Sequence, residues 1–201
     1  EEIKVVLTSD VTVKGGTSTA YGSANTTKVT IEGNENTLTY EDSYRTYIGL
    51  ANPDAVLVLK DMNLTRSTTG GTHWHDNNMK FECNTQMTNV KFNKGICLDD
   101  AKTFNLKNVT VSKDKVSTYA VFVTAGCDAT FDGCTFTGTA SDRRGIKVAD
   151  EDVADKTQLT KLTISNSTFN TASKAAVLVT SEGGANVVWG EGKDISNVAA
   201  D

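Results

Sequence analysis

Apolar and polar residues alternate along short stretches of this chain, and each stretch is broken at a Gly, Asn or Asp. The clearest example is residues 103–112, Thr-Phe-Asn-Leu-Lys-Asn-Val-Thr-Val-Ser. The alternation runs to Leu106, is interrupted at Asn108 and resumes in a new phase at Val109. Strict alternation is typical of a strand with one buried face, so this stretch predicts two short strands joined by a corner.

The pattern recurs six times. Aligned on the apolar residue two places before the corner, the copies are Ile31, Leu59, Met87, Leu106, Phe131 and Ile164. The corner residues are Gly33, Asp61, Asn89, Asn108, Gly133 and Asn166. Gly, Asn and Asp enter the left-handed backbone region at the least cost, so we predict that conformation at each corner. Asn side chains at successive corners are expected to stack on one another.

A shorter apolar phrase lies between successive copies of the first. Its members are Ile48–Leu50, Met79–Phe81, Ile96–Leu98, Val121–Val123, Ile146–Val148 and Val177–Val179. Each repeat therefore holds three short strands, and no helical periodicity intervenes. Repeats of this length and content predict an all-β solenoid, a right-handed parallel β-helix of about six to eight coils. The alternative is a β-sandwich, whose hairpin turns do not need one residue type at a fixed offset.

The repeats place the chain in one domain, residues 1–201. Residues 1–27 are expected to form an N-terminal coil or cap, with a loop over 14–27, and residues 28–190 the repeat coils. Residues 191–201 are interpreted as a C-terminal tail. The start at Glu1 and the lack of a clear final cap suggest a fragment cut from a longer protein.

Charge and hydropathy exclude several partners. The formal net charge is −5 at pH 7, which makes nucleic acid and anionic membranes unsuitable partners. No stretch is apolar enough to span a bilayer, so we expect no membrane insertion.

The four cysteines are predicted to be free thiols. Cys83 and Cys127 point inward in the same column but lie two coils apart, about 9–10 Å, whereas a disulfide needs Cα atoms within roughly 7 Å. Cys134 is also expected to face inward, and Cys97, between two inward residues, to face out. A disulfide would require a different register. Metal binding by the cysteines is not expected, since no Cys-x-x-Cys pair is present.

The phrases Leu106–Val111 and Phe131–Phe136, followed by Gly145–Val148, resemble the pectate-lyase-like superfamily of right-handed β-helices. More narrowly, they are similar to repeats in secreted or surface-anchored proteins of gut bacteria, most of them uncharacterised. The resemblance covers about residues 28–190. It implies an extracellular bacterial protein, secreted or anchored at the cell surface, that acts at a polysaccharide-rich surface.

The catalytic signatures of these enzymes are incomplete in this sequence. Polygalacturonases use an Asn-Thr-Asp, an Asp-Asp and a Gly-His-Gly, and only the pair Asp99-Asp100 is found here. An Asp-Asp after a strand is more simply a solvated corner.

Pectate lyases combine carboxylates that hold calcium with an Arg that removes a proton. The residue types occur together in one stretch, as Arg143, Arg144, Asp150, Glu151 and Asp152. A surface ion-pair cluster is the simpler interpretation of these residues. We therefore expect no cofactor, with calcium required only if the chain is a lyase.

A loop with both histidines has the most unusual local composition, His73-Trp74-His75-Asp76. On a strand, His73 and His75 share a face and could bind zinc or copper, but further ligands are not evident. Trp74 could instead stack on a sugar ring, with Tyr44 and Tyr47 on the same side, or simply cover apolar surface.

These observations favour a non-catalytic extracellular module for surface adhesion or for binding polysaccharide or glycan, on a host or bacterial surface. The alternative is a polysaccharide lyase or glycoside hydrolase of acidic polysaccharides, using Asp99-Asp100 or the Arg143–Asp152 region. An ice-binding face is disfavoured because the outward column is not uniformly Thr. That column reads Asn63, Lys91, Thr110, Thr135 and Thr168.

Overall fold

The computed structural model describes residues 1–14, 18–41, 46–67, 78–113, 119–138, 144–149, 160–171, 176–179 and 185–189. These residues contain strands and turns and no helix. In chain order the strands are β1 Glu2–Val6, β2 Val11–Lys14, β3 Ser18–Tyr21, β4 Lys28–Glu32, β5 Thr37–Glu41, β6 Thr46–Leu50, β7 Val56–Arg66, β8 Asn78–Phe81, β9 Asn84–Phe92, β10 Gly95–Leu98, β11 Thr103–Lys107, β12 Thr110–Lys113, β13 Tyr119–Thr124, β14 Asp128–Asp132, β15 Thr135–Gly138, β16 Arg144–Ala149, β17 Thr160–Ser165, β18 Thr168–Thr171, β19 Val177–Val179 and β20 Ala185–Trp189.

The strands form one 13-stranded and one 7-stranded sheet, and all the strand pairs described are parallel. The larger sheet contains two stacks. The first stack has the order β1-β4-β7-β9-β11-β14-β17-β20, and the second stack contains β2, β5, β12, β15 and β18. The long strands β7 and β9 pass around the corner and pair in both stacks. The third stack is the 7-stranded sheet, β3-β6-β8-β10-β13-β16-β19.

Each strand pairs with its equivalent in the neighbouring repeat, which confirms the alignment made from the sequence. The six residues of the predicted column are in register from Ile31 through to Ile164. The column extends by one strand at each end, to Val5 in β1 and Trp189 in β20. Long parallel sheets linked in this order are compatible with a parallel β-helix.

The inward columns form one continuous hydrophobic core. All six residues of the aligned column are at most 4% exposed. The aromatic residues of neighbouring strands contact one another at the corner of the first and second stacks. Phe131 and Phe136 meet edge to face at 5.6 Å between ring centroids, and Phe136 stacks on Phe169 at 4.8 Å. The alternation read from the sequence therefore marks the buried positions of these strands.

The left-handed conformation predicted at the corners is confirmed at five of the six positions. Positive φ angles of 49° to 64° occur at Asp61, Asn89, Asn108, Gly133 and Asn166. The prediction was wrong at the first corner, where Asn34 and Glu35 take positive φ in place of Gly33. Glycine is needed at position 33 for a different reason, because a Cβ atom there would collide with Met62 in β7 of the next repeat.

Two further sequence predictions need correction near the N-terminus. The phrase equivalent to Met79–Phe81 is 46–48, because Ile48 pairs with Phe81, so the predicted Ile48–Leu50 is displaced by two residues. The stretch 14–27 is not entirely a loop, since β3 lies within it and pairs with β6. Its composition of Gly, Ser and Thr concealed a short edge strand.

All four cysteines are free and buried. Cys83, Cys127 and Cys134 belong to the main core, as predicted. Cys97 lies outside that core but is only 1% exposed, because it packs with Tyr119 and Phe122 in a second apolar cluster. The alternation of apolar and polar residues correctly predicted that Cys97 points away from the main core, but it did not predict that Cys97 is buried.

Candidate functional site

A row of hydrogen-bonded side chains follows the corner between the first and second stacks. The Asn89 Nδ2 donates to Asp61 Oδ1 at 2.7 Å, and the Asn108 Nδ2 donates to Asn89 Oδ1 at 3.2 Å. This ladder is the stacking expected from the sequence. At Gly133 it has no side chain to continue.

A groove of about 430 Å³, here called the corner groove, opens beside this ladder. Its polar lining comes from Glu35, Asp61, Asn63, Asn89 and Lys91. The Asn63 Nδ2 donates to the backbone oxygen of Glu35 at 3.0 Å, which holds part of the wall in place. The groove presents carboxylates, amides and one ammonium group together.

A shallower groove of about 260 Å³, the face groove, lies on the outer surface of the first stack. Its polar lining spans three repeats and consists of Gln86, Thr88, Asn105, Lys107, Thr130 and Asp132. Strand alternation places these residues outward, opposite the buried Met87, Leu106 and Phe131.

Strand register arranges the face groove into two columns. Gln86, Asn105 and Thr130 are directly in register, and Thr163 continues their column. Thr88, Lys107 and Asp132 form the neighbouring column in the same strands. Equivalent positions on adjacent strands are about 4.8 Å apart, so the groove repeats its hydrogen-bonding groups at that interval.

The carboxylate at the end of the face groove is held in its charged form. Asp132 Oδ1 accepts hydrogen bonds from Asn166 Nδ2 at 3.0 Å and from Ser165 Oγ at 3.1 Å. These bonds, with the charge of Lys107, lower the pKa of Asp132 below its usual value. A carboxyl of this kind accepts hydrogen bonds at neutral pH and does not suit the role of a general acid.

The candidate pair Asp99-Asp100 is divided between two environments. Asp99 is buried, forms an ion pair with Lys80 and accepts a hydrogen bond from Thr124 Oγ1 at 2.5 Å. Asp100 is exposed and lies 3.7 Å from the ammonium group of Lys102. The two carboxylates therefore face different partners.

The ion pair belongs to the outer surface of the third stack, where an outward column is largely buried. The column runs from Tyr47 through Lys80, Cys97 and Phe122 to Lys147. Phe122 is fully buried and Lys147 is 6% exposed. The Nζ of Lys147 lies 5.4 Å from the centroid of the Phe122 ring.

Electrostatics in this column fix the protonation of two groups. Burial alone would lower the pKa of Lys80, but the hydrogen bond and charge of Asp99 outweigh it and raise that pKa. Burial, reinforced by the charge of Asp99, raises the pKa of the Cys97 thiol well above its usual value. Lys80 is thus a stable cation, and Cys97 is a protonated thiol unsuited to nucleophilic chemistry.

Sequence reasoning missed this buried outer column. The signal that could have revealed it is β13, whose residues Tyr119–Thr124 are all buried. A continuous apolar run in a parallel strand indicates that both of its faces are covered.

Of the remaining predicted site residues, the structure describes two, Tyr47 and Arg144. Tyr47 lies next to Lys80, whose Nζ is 5.3 Å from the ring centroid, so it contributes to the third stack. Arg144 begins β16, paired with Tyr119 of β13. The others lie outside the described residues: Tyr44, His73, Trp74, His75, Arg143, Asp150, Glu151 and Asp152.

The described part of the chain carries neither a metal-site signature nor a membrane-spanning helix. Those residues contain no group of three or more His, Cys, Asp or Glu side chains that could hold a metal ion. They also contain no helix long and apolar enough to cross a membrane.

Comparison with known proteins adds no family. No protein-family model matches the chain, and searches of curated proteins and of solved structures find no match either. The resemblance to the pectate-lyase-like superfamily therefore remains a hypothesis.

Proposed function

We propose that this chain is a right-handed parallel β-helix of the pectate-lyase-like type, secreted or surface-anchored, which binds a polysaccharide without cleaving it. The observation that carries the proposal is the face groove. Three consecutive repeats present amide, hydroxyl and charged side chains there in two registered columns.

The chemistry of the groove suits a sugar polymer. Amide and hydroxyl groups both donate and accept hydrogen bonds, as the hydroxyls of a sugar do. Gln86 and Asn105 are exposed, so their amides are free to approach a ligand from solvent. Repetition of these groups at about 4.8 Å matches a ligand that is itself a linear repeat.

Binding without cleavage is supported by the environments of two carboxylates, Asp99 and Asp132. Asp99 is occupied by Lys80 and Thr124, and Asp132 is kept ionised by Asn166 and Ser165. The lowered pKa of Asp132 is the opposite of what a general acid needs at neutral pH. The other candidates for a lyase or hydrolase site, Arg143, Asp150, Glu151 and Asp152, lie outside the described residues.

Affinity electrophoresis in gels containing plant, mucin or bacterial polysaccharides tests the proposal. At least one polymer is expected to retard the protein. The double variant Gln86→Ala/Asn105→Ala should bind about tenfold more weakly, the size expected for the loss of one or two hydrogen bonds. The matched control is Asn170→Ala, an exposed amide on the second stack.

Two outcomes would contradict the proposal. If none of the polymers retards the protein, the glycan-binding function is wrong. If Trp74→Ala abolishes retardation while the double variant migrates as wild type, the ligand binds at the His73–Asp76 loop and the face groove is not the site.

A further inference from the structure

The face groove and the corner groove adjoin at the corner between the first and second stacks. Thr88 of β9 lines the face groove, and the next residue, Asn89, lines the corner groove. The strand passes directly from one groove to the other, because β9 turns around the corner and pairs in both stacks. The residues that line the two grooves therefore form one continuous area, here called the groove surface.

Both grooves carry charges of both signs, which come from neighbouring repeats. In the face groove, Lys107 of β11 is in register with Asp132 of β14, about 4.8 Å away along the axis. In the corner groove, Asp61 belongs to β7 and Lys91 to β9, the strand that pairs with β7. Glu35 adds a second carboxylate to the corner groove.

The charges that line the grooves are not neutralised by ion pairs. Within the described residues, none of Glu35, Lys91 and Lys107 forms an ion pair. Elsewhere on the first stack, adjacent strands do pair their outward charges, as Lys161 does with Asp128 at 3.2 Å. Exposed ammonium and carboxylate groups without such partners are available to charged groups of a ligand.

Neutral side chains hold the two aspartates of the groove surface. Asp61 accepts a hydrogen bond from the amide of Asn89, and Asp132 accepts from Asn166 and Ser165. A carboxylate has about four acceptor positions, so both aspartates keep lone pairs for a ligand. The neutral donors therefore fix the position of each negative charge without cancelling it.

We propose that the groove surface binds a zwitterionic polysaccharide, whose repeating unit carries both an ammonium and a carboxylate group. This inference rests on the proposed binding of a polysaccharide and adds the charge of the ligand. The ammonium groups contact Glu35 and Asp61 in the corner groove, and the carboxylates contact Lys107 in the face groove. A purely anionic polymer would also meet the carboxylates of the surface, and a purely cationic one would meet Lys91 and Lys107, so neither is as complementary.

Polymers of matched length and different charge test this inference. Hyaluronan carries carboxylates, and partly N-deacetylated hyaluronan carries carboxylates and ammonium groups on the same backbone. Glycol chitosan carries ammonium groups alone, and dextran is neutral. In isothermal titration calorimetry, wild type is expected to bind N-deacetylated hyaluronan about fivefold more tightly, or better, than the other three polymers. The preference should disappear at about 1 M salt, which screens exposed charges.

Charge-removing variants assign each part of the ligand to its groove. Glu35→Gln/Asp61→Asn should lower the affinity for N-deacetylated hyaluronan to that for hyaluronan, whereas Lys107→Gln should weaken the binding of both. Asp61→Asn keeps an acceptor oxygen and a residue that tolerates the left-handed backbone, so the corner should fold as before. The matched control is Glu41→Gln/Asp54→Asn, which removes the same two kinds of carboxylate at exposed positions outside both grooves. It should bind as wild type does.

Several results would overturn the inference. One is equal or tighter binding of hyaluronan, glycol chitosan or dextran by wild type, and another is an unchanged preference in Glu35→Gln/Asp61→Asn. A neutral polymer that binds best would overturn the charge assignment alone and leave the polysaccharide-binding function intact. Failure of every polysaccharide to bind would overturn both.

Discussion

Single residues at the corners determine whether each repeat can turn from the first stack into the second. A left-handed conformation costs an ordinary L-residue roughly 1–2 kcal/mol, and Asn, Asp and Gly reduce that cost. In this chain, Asn108 also donates to the side chain of Asn89, which donates to Asp61 in turn. The corner residue therefore contributes through its backbone and through its side chain.

Replacement of Asn108 tests this role. Asn108→Val places a β-branched residue at a φ of 53° and removes the hydrogen bond to Asn89, so we expect a loss of about 2–3 kcal/mol in the free energy of unfolding. Lys107→Ala, one residue earlier and exposed, should change it by less than about 0.5 kcal/mol. Urea unfolding measures both. Equal midpoints for the two variants would refute the corner assignment.

The buried thiols make stability fall at alkaline pH. Burial raises the pKa of Cys127 and Cys134 to about 11, from a usual value of 9.0. Their thiols donate to the backbone oxygens of Leu98 at 3.5 Å and Leu106 at 3.4 Å, respectively. As pH rises from 9 towards 11, the unfolded chain releases protons that the folded chain keeps.

The free energy of unfolding should therefore decrease by about 1 kcal/mol per thiol per pH unit in that window. Denaturation curves at pH values on either side of 9 measure the decrease. The double variant Cys127→Ala/Cys134→Ala should show a shallower decrease than wild type. An identical slope would mean that these thiols ionise equally well in the folded protein.

At the scale of the strands, local alternation predicts what faces inward and not what covers the outer side. The inward columns follow from the period of two in each strand, and the sequence alone placed them correctly except at Ile48–Leu50, which is displaced by two residues. The pair of Lys80 with Asp99 depends on the register of β8 with β10, which brings two distant stretches together. The burial of Cys97 likewise depends on Phe122 and Tyr119, one repeat later in the chain.

Substitution of the two neighbouring aspartates tests the burial of that ion pair. Asp99→Asn removes the charge that faces Lys80, so we expect the free energy of unfolding to fall by about 1–3 kcal/mol. Asp100→Asn, at the exposed neighbour, should have an effect near zero. Thermal unfolding of both variants gives the comparison. A larger loss for Asp100→Asn than for Asp99→Asn would mean that Asp99 is not the buried carboxylate of the two.

At the scale of the whole molecule, parallel stacking converts a repeat in sequence into columns of side chains on each surface. The three stacks differ outside: the first presents polar groups in the face groove, and the third buries Cys97 and Phe122. The sequence alignment puts the columns of the face groove in register, but it does not show that their outward side chains line a groove. The unusual composition of residues 73–76 was the stronger local signal in the sequence.

The separation of binding from cleavage is tested most directly by polymer length. Plant, mucin and bacterial polysaccharides are incubated with the protein, with and without calcium, and analysed by size-exclusion chromatography. We predict that one polymer co-elutes with the protein and keeps its length in both conditions. Shortening of any polymer would contradict this prediction, and shortening only with calcium would indicate a calcium-dependent lyase.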